Sequence, residues 1–177
     1  PIFGGCESGM AEYGVAEYWE ERYTRDPEAF DWYQRYSGLK ELIGQYVKKS
    51  DKILNVGAGN SRLTEEMYED GYKSIDNIDI SETVVRAMAD LHKGTMATVT
   101  WRRMDVLDLG EIADATYDAV IDKGTMDCIL CGENSTANVA KMLAGVSRVL
   151  KDVGVYFVVS YGLPDNRLTY LQNDAYG

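Results

Sequence analysis

Hydrophobic positions follow a helical period in the first quarter of the chain. Val15, Trp19 and Tyr23 recur at a spacing of four, which places them on one face of a helix. Asp26-Pro27 breaks that helix, because the residue before a proline is pushed out of the helical region. The period resumes in a second helix through Leu39, Leu42, Ile43 and Tyr46. Residues 1–48 are therefore predicted to be helical.

From Lys52 onward, short β-rich runs alternate with helical segments. The predicted strands are KILNV (52–56), SIDNIDI (74–80), TVTWRRMDV (98–106), YDAVIDKG (117–124) and VGVYFVVSYG (153–162). The predicted helices are SRLTEEMYEDG (61–71), SETVVRAMADLHKG (81–94) and a segment from about 138 to 150. This alternation predicts an α/β fold with a doubly wound, mostly parallel sheet. Right-handed crossovers and a reversal of winding after the third strand give the strand order 3-2-1-4-5.

The chain length fits one folded unit. With 177 residues, it is long enough for one core and too short for two ordinary domains. We expect a single domain over 1–177, in which residues 1–48 form a helical lid and 49–177 form the α/β core. No strands of a final antiparallel hairpin follow the fifth strand, so the core is expected to be truncated at its C-terminal end.

Composition excludes several classes of function. Hydrophobic residues make up 45% and charged residues 27%, as in soluble domains, and no apolar run approaches the roughly 18 residues of a membrane span. The net charge of -11 would repel nucleic-acid phosphates. We therefore expect neither a nucleic-acid nor a membrane partner. The acidity either maintains solubility or attracts a basic protein substrate.

The cysteines favour a reducing compartment. Cys6, Cys128 and Cys131 are an odd number and suggest no disulfide framework, so we expect a cytoplasmic protein. Cys128 and Cys131 have C-x-x-C spacing, but the chain has no second pair and a single histidine, His92. Buried thiols on a short helix are thus favoured over zinc or redox chemistry, and no metal is expected.

A glycine-rich turn follows the first strand in ILNVGAGNS. In a doubly wound sheet, ligands lie at the carboxyl ends of the strands where the winding reverses, which is here the turn with Gly57 and Gly59. Glycine permits a ligand to lie close to the backbone. A dinucleotide fingerprint would carry a third glycine at position 62, where this chain has Arg62. The turn therefore favours a ligand without paired phosphates.

The ends of the other strands supply polar groups for an adenosine. Asp79, at the end of the second strand, can accept hydrogen bonds from two ribose hydroxyls, although it could instead cap a helix. Asp105 can accept from the adenine amino group beside the backbone of Val106, although it could be an exposed loop residue. Lys123 lies level with the same crevice. A pocket for an adenosine with a short polar tail fits S-adenosylmethionine.

With these strand ends in place, the chain resembles a class I S-adenosylmethionine-dependent methyltransferase. EYWEERYTRDPEAFDWYQRYSGLKELI, ILNVGAGNS, DKGTMDCIL and SRVLKDVGVYFVVSYG are similar to the methyltransferase-like subfamily that methylates lysines of elongation factor 1-alpha. Within it, the pattern resembles the branch of the methyltransferase segment associated with endothelin-converting enzyme 2. The resemblance implies a Rossmann-like core, S-adenosylmethionine as cofactor and elongation factor 1-alpha as partner.

The resemblance also implies a set of cofactor-binding residues. They are Trp19, Tyr23 and Trp32 at the methionine end, Gly57 and Gly59 beneath the cofactor, Asp79 and Ile80 at the ribose, Asp105 and Val106 at the adenine, and Lys123. The aromatic residues could instead simply pack the first helix on the sheet. No catalytic residue is assigned, because Asp122 could orient an amine or cap a helix. A small-molecule methyltransferase and a non-catalytic cofactor-binding module remain alternatives.

Overall fold

The structure, a computed structural model, describes residues 11–172 and contains one five-stranded sheet. The strands are β1 (Lys52–Val56), β2 (Ser74–Asp79), β3 (Thr100–Arg103), β4 (Tyr117–Lys123) and β5 (Leu150–Val159). All paired strands run parallel, in the order β3-β2-β1-β4-β5. This confirms the predicted topology and makes the described sheet entirely parallel.

Helices cover both faces of the sheet. They are α1 (Ala16–Arg25), α2 (Tyr36–Tyr46), α3 (Leu63–Glu69), α4 (Glu82–Leu91), α5 (Thr125–Leu130), α6 (Ser135–Val149) and α7 (Pro164–Leu171). The first predicted helix is divided, because a short 3-10 helix at Ala11–Gly14 precedes α1. None of the helices within residues 11–172 is long and apolar enough to cross a membrane.

Two apolar layers lie on opposite faces of the sheet. Ile53 of β1 belongs to the layer covered by α2 and α3, whereas Leu54 and Val56 belong to the layer covered by α6. Adjacent residues of a strand point to opposite faces, so a strand covered on both sides is apolar nearly throughout. This is why the central strands could be recognised as short apolar runs.

The buried face of one helix and the bounds of several strands and helices differ from the predictions. In α2 the buried residues are Tyr36, Leu39 and Ile43, while Leu42 and Tyr46 are 47% and 58% exposed. The face predicted to be buried was therefore displaced from the observed one, because the helix carries apolar residues outside its buried face as well as on it. β5 begins at Leu150, earlier than predicted, since it follows α6 without a loop.

A buried polar network fixes the sheet beneath the glycine turn. The Asn55 side chain donates to Thr64 Oγ1 (3.1 Å) and to Asn77 Oδ1 (3.0 Å). Thr64 Oγ1 donates in turn to Asn77 Oδ1 at 2.6 Å. These bonds join β1, α3 and β2, and a buried network in which each group has a partner holds its elements in one arrangement.

His92 lies buried after the end of α4. Its ring stacks on Trp101 with centroids 5.1 Å apart, and its Nε2 has no hydrogen-bond partner among the described residues. Burial lowers the pKa of His92, with a weaker opposing effect from Glu65. The folded protein therefore holds this ring neutral, at a pH where the unfolded chain begins to bind a proton.

Replacing His92 by Phe should reduce the acid sensitivity of the fold. A histidine pKa below the ordinary value of about 6.5 means that the unfolded state binds more protons, so stability is lost as pH falls through that value. Phe keeps a ring on Trp101 and cannot titrate. Urea unfolding at pH 7.5, 6.0 and 5.0 should show a smaller decrease for H92F than for the wild type. Equal decreases would show that His92 does not contribute to the acid response.

Candidate cofactor site

A cavity of about 190 Å³ opens at the carboxyl ends of β1, β2 and β4. It is lined by all ten residues predicted to bind the cofactor: Trp19, Tyr23, Trp32, Gly57, Gly59, Asp79, Ile80, Asp105, Val106 and Lys123. The carboxyl ends of parallel strands meet at one edge of the sheet, so residues that follow different strands converge there. The structure thus brings the predicted set together, while its role in binding stays a prediction.

The two glycines of the turn are required by the chain's own side chains. Gly57 and Gly59 have φ of +60° and +53°, a left-handed conformation that glycine adopts at low cost. A Cβ on Gly57 would lie 2.1 Å from Thr125 Oγ1, and one on Gly59 would lie 2.5 Å from the Tyr23 hydroxyl. From the sequence, these glycines are explained by the room that a ligand needs. The contacts with Thr125 and Tyr23 are a second reason why no side chain fits at these positions.

Asp79 is buried at the end of β2 and fixes the turn. Its Oδ2 accepts from the Gly59 backbone N–H at 2.8 Å and its Oδ1 from the Ser81 N–H at 3.0 Å. Burial raises the pKa of Asp79, while these two N–H donors oppose the rise. Each carboxylate oxygen has a second acceptor site, so Asp79 can hold the loops and still accept from a diol.

Asp105 stands on an exposed turn after β3. Its Oδ1 accepts from the Leu107 N–H at 2.9 Å, and the adjacent Val106 is buried in the second apolar layer. The carboxylate thus shapes its own turn and keeps further acceptor sites at the cavity wall. The turn itself is fixed to β2, because the Met104 N–H donates to the Asp79 carbonyl at 2.9 Å.

Aromatic side chains form the wall opposite the sheet. The lining rings are Tyr13, Trp19, Tyr23, Phe30 and Trp32. Trp19 stacks on Tyr23 with centroids 5.7 Å apart, and Trp32 meets Phe30 edge-on at 5.3 Å. No residue of α1 is fully buried. The rings therefore pack on one another and also border the cavity. This arrangement is compatible with both roles considered for them, packing of the first helix and contact with the cofactor.

The lining charges do not suit paired phosphates. Among the described lining residues the basic groups are Arg22 and Lys123, and each is paired with a carboxylate, Asp26 at 3.1 Å and Asp31 at 3.2 Å. Asp79 and Asp105 add negative charge to the same wall. A cationic ligand with an apolar body is favoured by rings and carboxylates of this kind.

The first helix is anchored over the site by Glu20. Its carboxylate accepts from the backbone N–H groups of Glu82 (2.6 Å) and Thr83 (3.2 Å) and from the Ser81 hydroxyl (3.0 Å). Burial opposes ionisation of Glu20, but these donors outweigh it and lower its pKa. A carboxylate at the N-terminus of α4 satisfies otherwise unpaired N–H groups and interacts favourably with the helix dipole.

The segment between α1 and α2, residues 26–35, is called the strap. The Asn60 side chain donates to the Glu28 carbonyl at 2.6 Å, and Ser61 Oγ donates to Asp31. Lys123 Nζ donates to Asp31 Oδ1 at 3.2 Å and to the Trp32 carbonyl at 3.1 Å. The strap is therefore held by the glycine turn and by the end of β4.

Asp122, considered above for orienting an amine, caps α5. It is fully buried, does not line the cavity, and accepts from the N–H groups of Thr125 (2.8 Å) and Met126 (3.1 Å) and from the Tyr156 hydroxyl (2.8 Å). Burial raises its pKa to about 6, and the three donors oppose that rise. These contacts give Asp122 a structural role in the cofactor-free protein.

Asp127 connects the strap to the far end of the sheet. It accepts from the Tyr33 hydroxyl at 2.6 Å, from Ser160 Oγ at 2.6 Å and from the Tyr161 N–H at 2.8 Å, and pairs with Arg167 of α7 at 2.7 Å. Burial opposes ionisation, but these hydrogen bonds outweigh it and lower the pKa of Asp127. Its charge is thereby neutralised within the chain.

The cysteine pair lies at the edge of the site. Cys128 and Cys131 are half-buried on α5 and at its end, and Cys128 lines the cavity. Burial raises the pKa of the Cys128 thiol, so it stays protonated at neutral pH. Within residues 11–172, no group of three or more potential metal ligands occurs. Cys6 lies outside the described residues.

Several residues of the site were not singled out from the sequence. Glu20, Asp31, Asn60 and Ser61 act through partners distant in the chain, and Thr125 acts by filling the space over Gly57. A signal existed for Asn60-Ser61, which directly follows the glycines, and for Asp31, which directly precedes Trp32. Glu20 carried no signal, because nothing in one helix reveals that a second helix begins beside it.

Comparison with known proteins identifies related chains. Residues 47–175 match the family model described as a methyltransferase domain. The chain is 41% identical over 152 residues to the mouse "eEF1A lysine and N-terminal methyltransferase", covering 84% of this chain and 22% of that protein. It is 30% identical to the bovine "EEF1A lysine methyltransferase 4", covering 93% of this chain and 68% of that protein.

The fold is also found among solved structures. A SAM-dependent methyltransferase from Methanosarcina mazei is similar with a TM-score of 0.59 and 20% identity, over 81% of this chain and 64% of the other. At 20% identity, this similarity shows a shared fold and nothing further. The chain spans about a fifth of the length of the mouse relative.

Truncating Glu20 should loosen α1 from α4. Glu20→Ala removes the acceptor for N–H groups at the start of α4, and loss of such a cap costs about 1 kcal/mol. Glu21→Ala is the matched control, because Glu21 is the exposed neighbour on the same helix and a surface change of this kind stays within about 0.5 kcal/mol. Urea unfolding of both variants measures the free energies. Equal losses would mean that Glu20 is not an anchor.

Proposed function

The chain belongs to the methyltransferase domain family, and from this premise we propose that it transfers a methyl group from S-adenosylmethionine to a lysine amine of a protein. The cavity at the strand ends carries the proposal, because the ten predicted residues line it together, and its mostly apolar wall includes aromatic rings and two carboxylates. The proposed acceptor is elongation factor 1-alpha, on which the named relatives act.

The residues that line the cavity suit the charge and the hydrogen-bonding groups of the cofactor. Asp79 with Ile80 is proposed to hold the ribose, and Asp105 with Val106 the adenine, each carboxylate retaining acceptor sites beyond its bonds to the chain. Gly57 and Gly59 are proposed to lie beneath the ligand, and Lys123 lines the same cavity. Trp19, Tyr23 and Trp32 border the methionine end.

The bound cofactor supplies an electrophilic methyl group on a sulfonium. The chain's task is then to align an amine with that methyl and to exclude water, which is the main source of rate enhancement in such a displacement. The aromatic wall shields the reacting centre and attracts positive charge, with a cation–π contribution of about 0.5 to 2 kcal/mol. None of the described carboxylates is assigned as a general base, since Asp122 is committed to capping α5.

A lysine acceptor must lose a proton before it reacts. At pH 7 the neutral amine of a free lysine costs about 4 to 5 kcal/mol, given a pKa near 10.4. Burial and a nearby positive charge both lower that cost. The net charge of -11 favours approach of a basic protein surface, and the reducing environment suggested by the cysteines agrees with a cytoplasmic location.

Removing the proposed ribose and adenine acceptors should weaken cofactor binding. Calorimetric titration with S-adenosylhomocysteine should show a loss of roughly 10- to 100-fold for Asp79→Ala, the value for a hydrogen bond to a charged group, and roughly two- to tenfold for Asp105→Ala. Asp108→Ala is the matched control, because Asp108 is exposed on the same turn and does not line the cavity. Unchanged affinity in both D79A and D105A would refute these assignments.

Methyl transfer should appear on a lysine of the proposed acceptor. The purified chain, incubated with isotopically labelled S-adenosylmethionine and unmethylated elongation factor 1-alpha, should label a lysine side chain, as located by mass spectrometry of peptides. Label on the terminal α-amine would contradict the lysine assignment, and label only on metabolites added as an extract would indicate a small-molecule enzyme. Cofactor binding without transfer to any acceptor would indicate a non-catalytic module.

A further inference from the structure

The ammonium group of Lys123 is directed to the strap. Its two hydrogen bonds go to the Asp31 carboxylate and the Trp32 carbonyl, which lie more than 90 residues earlier in the chain. The side chains of Lys123 and Asp31 are 5% and 10% exposed, respectively. A buried pair of this kind is sensitive to loss of one partner, because the remaining charge stays buried without compensation.

The strap carries the ring that Lys123 positions. Trp32 lines the cavity, and the centroid of its ring lies 6.3 Å from that of Trp19 and 5.3 Å from that of Phe30. Lys123 bonds the carbonyl of Trp32 itself, so the bond links the residue that carries this ring to the end of β4. The same Asp31 accepts from Ser61 of the glycine turn, so the strap contacts two parts of the cavity wall.

We propose that Lys123 is a positioning residue: it closes the strap through Asp31 and the Trp32 carbonyl and thereby sets Trp32 against the bound cofactor. This rests on the proposed function. Binding then couples to strap closure, since a strap that opens more often removes Trp32 from the cavity wall for part of the time. The apparent affinity is then the affinity of the closed form multiplied by the fraction of molecules that are closed.

An exposed ion pair between two strands serves as the control. Lys151 of β5 pairs with Asp118 of β4 at 2.7 Å, but their side chains are 44% and 32% exposed and neither lines the cavity. Lys151→Met therefore removes a cation from the same sheet without touching the strap. An exposed pair contributes little to stability.

A double-mutant cycle on cofactor binding tests the proposal. Affinity and dissociation rate of S-adenosylhomocysteine are measured for Lys123→Met, Asp31→Asn and the double variant. Each single change should weaken binding roughly tenfold by speeding dissociation, and the double variant should be no weaker than either, because the two residues act as one unit. Lys123→Arg, which keeps the charge, should restore part of the affinity, and K151M should bind like the wild type.

Hydrogen exchange separates failure of this inference from failure of the proposed function. In the cofactor-free protein, K123M and D31N should both accelerate amide exchange within residues 26–35, whereas K151M should not. Weaker binding in K123M with an unchanged D31N would overturn the proposal and make Lys123 a direct cofactor contact. A wild type that does not bind S-adenosylhomocysteine would refute the proposed function alone, while faster strap exchange in both variants would still support the role of Lys123 in closing the strap. Unchanged strap exchange in both variants would overturn it.

Discussion

The reversal of winding between β1 and β4 is the constraint on which the site depends. The two strands pair in parallel, with Val56 opposite Asp122, so their carboxyl ends lie side by side. The chain leaves β1 toward α3 on one face and leaves β4 toward α5 and α6, which cover the other. Because the two connections leave on opposite faces of the sheet, a crevice opens between them. The turn with Gly57 and the end of β4 at Lys123 form its two sides, and the N-terminal helix and strap cover it.

Four carboxylates hold helix starts and strand ends in place around the site. Asp79, Asp122, Asp127 and Glu20 each accept from backbone N–H groups that begin a helix or end a strand. Such groups must find acceptors when they leave water, and an ionised acceptor makes the stronger bond. Part of the acidic excess therefore has a structural use. Neither solubility nor attraction of a basic partner, the two explanations available from composition, describes these four residues.

The sequence predicted those parts of the fold for which the local hydrophobic pattern and the rules of strand connection agree. Central strands such as KILNV are recognisable because both faces are covered, and the handedness of crossovers then leaves one strand order. Residues at the carboxyl ends of those strands, such as Asp79 and Lys123, must converge at one edge of the sheet. The strap contacts could not be predicted, because Asp31 and Lys123 meet through tertiary structure alone. α7 was not predicted from the sequence, and none of its residues is fully buried.

The pKa of Lys123 indicates how burial at this site affects an amine. Burial lowers its pKa even though the adjacent Asp31 carboxylate favours the charged form. Desolvation therefore outweighs a direct ion pair at the end of β4. An acceptor lysine that entered the cavity would also lose hydration, while Asp31 is already occupied by Lys123 and Ser61. With a sulfonium nearby, both effects would favour the neutral amine. The proposed transfer can then proceed by desolvation and alignment, without a dedicated base, which agrees with Asp122 being committed to the start of α5.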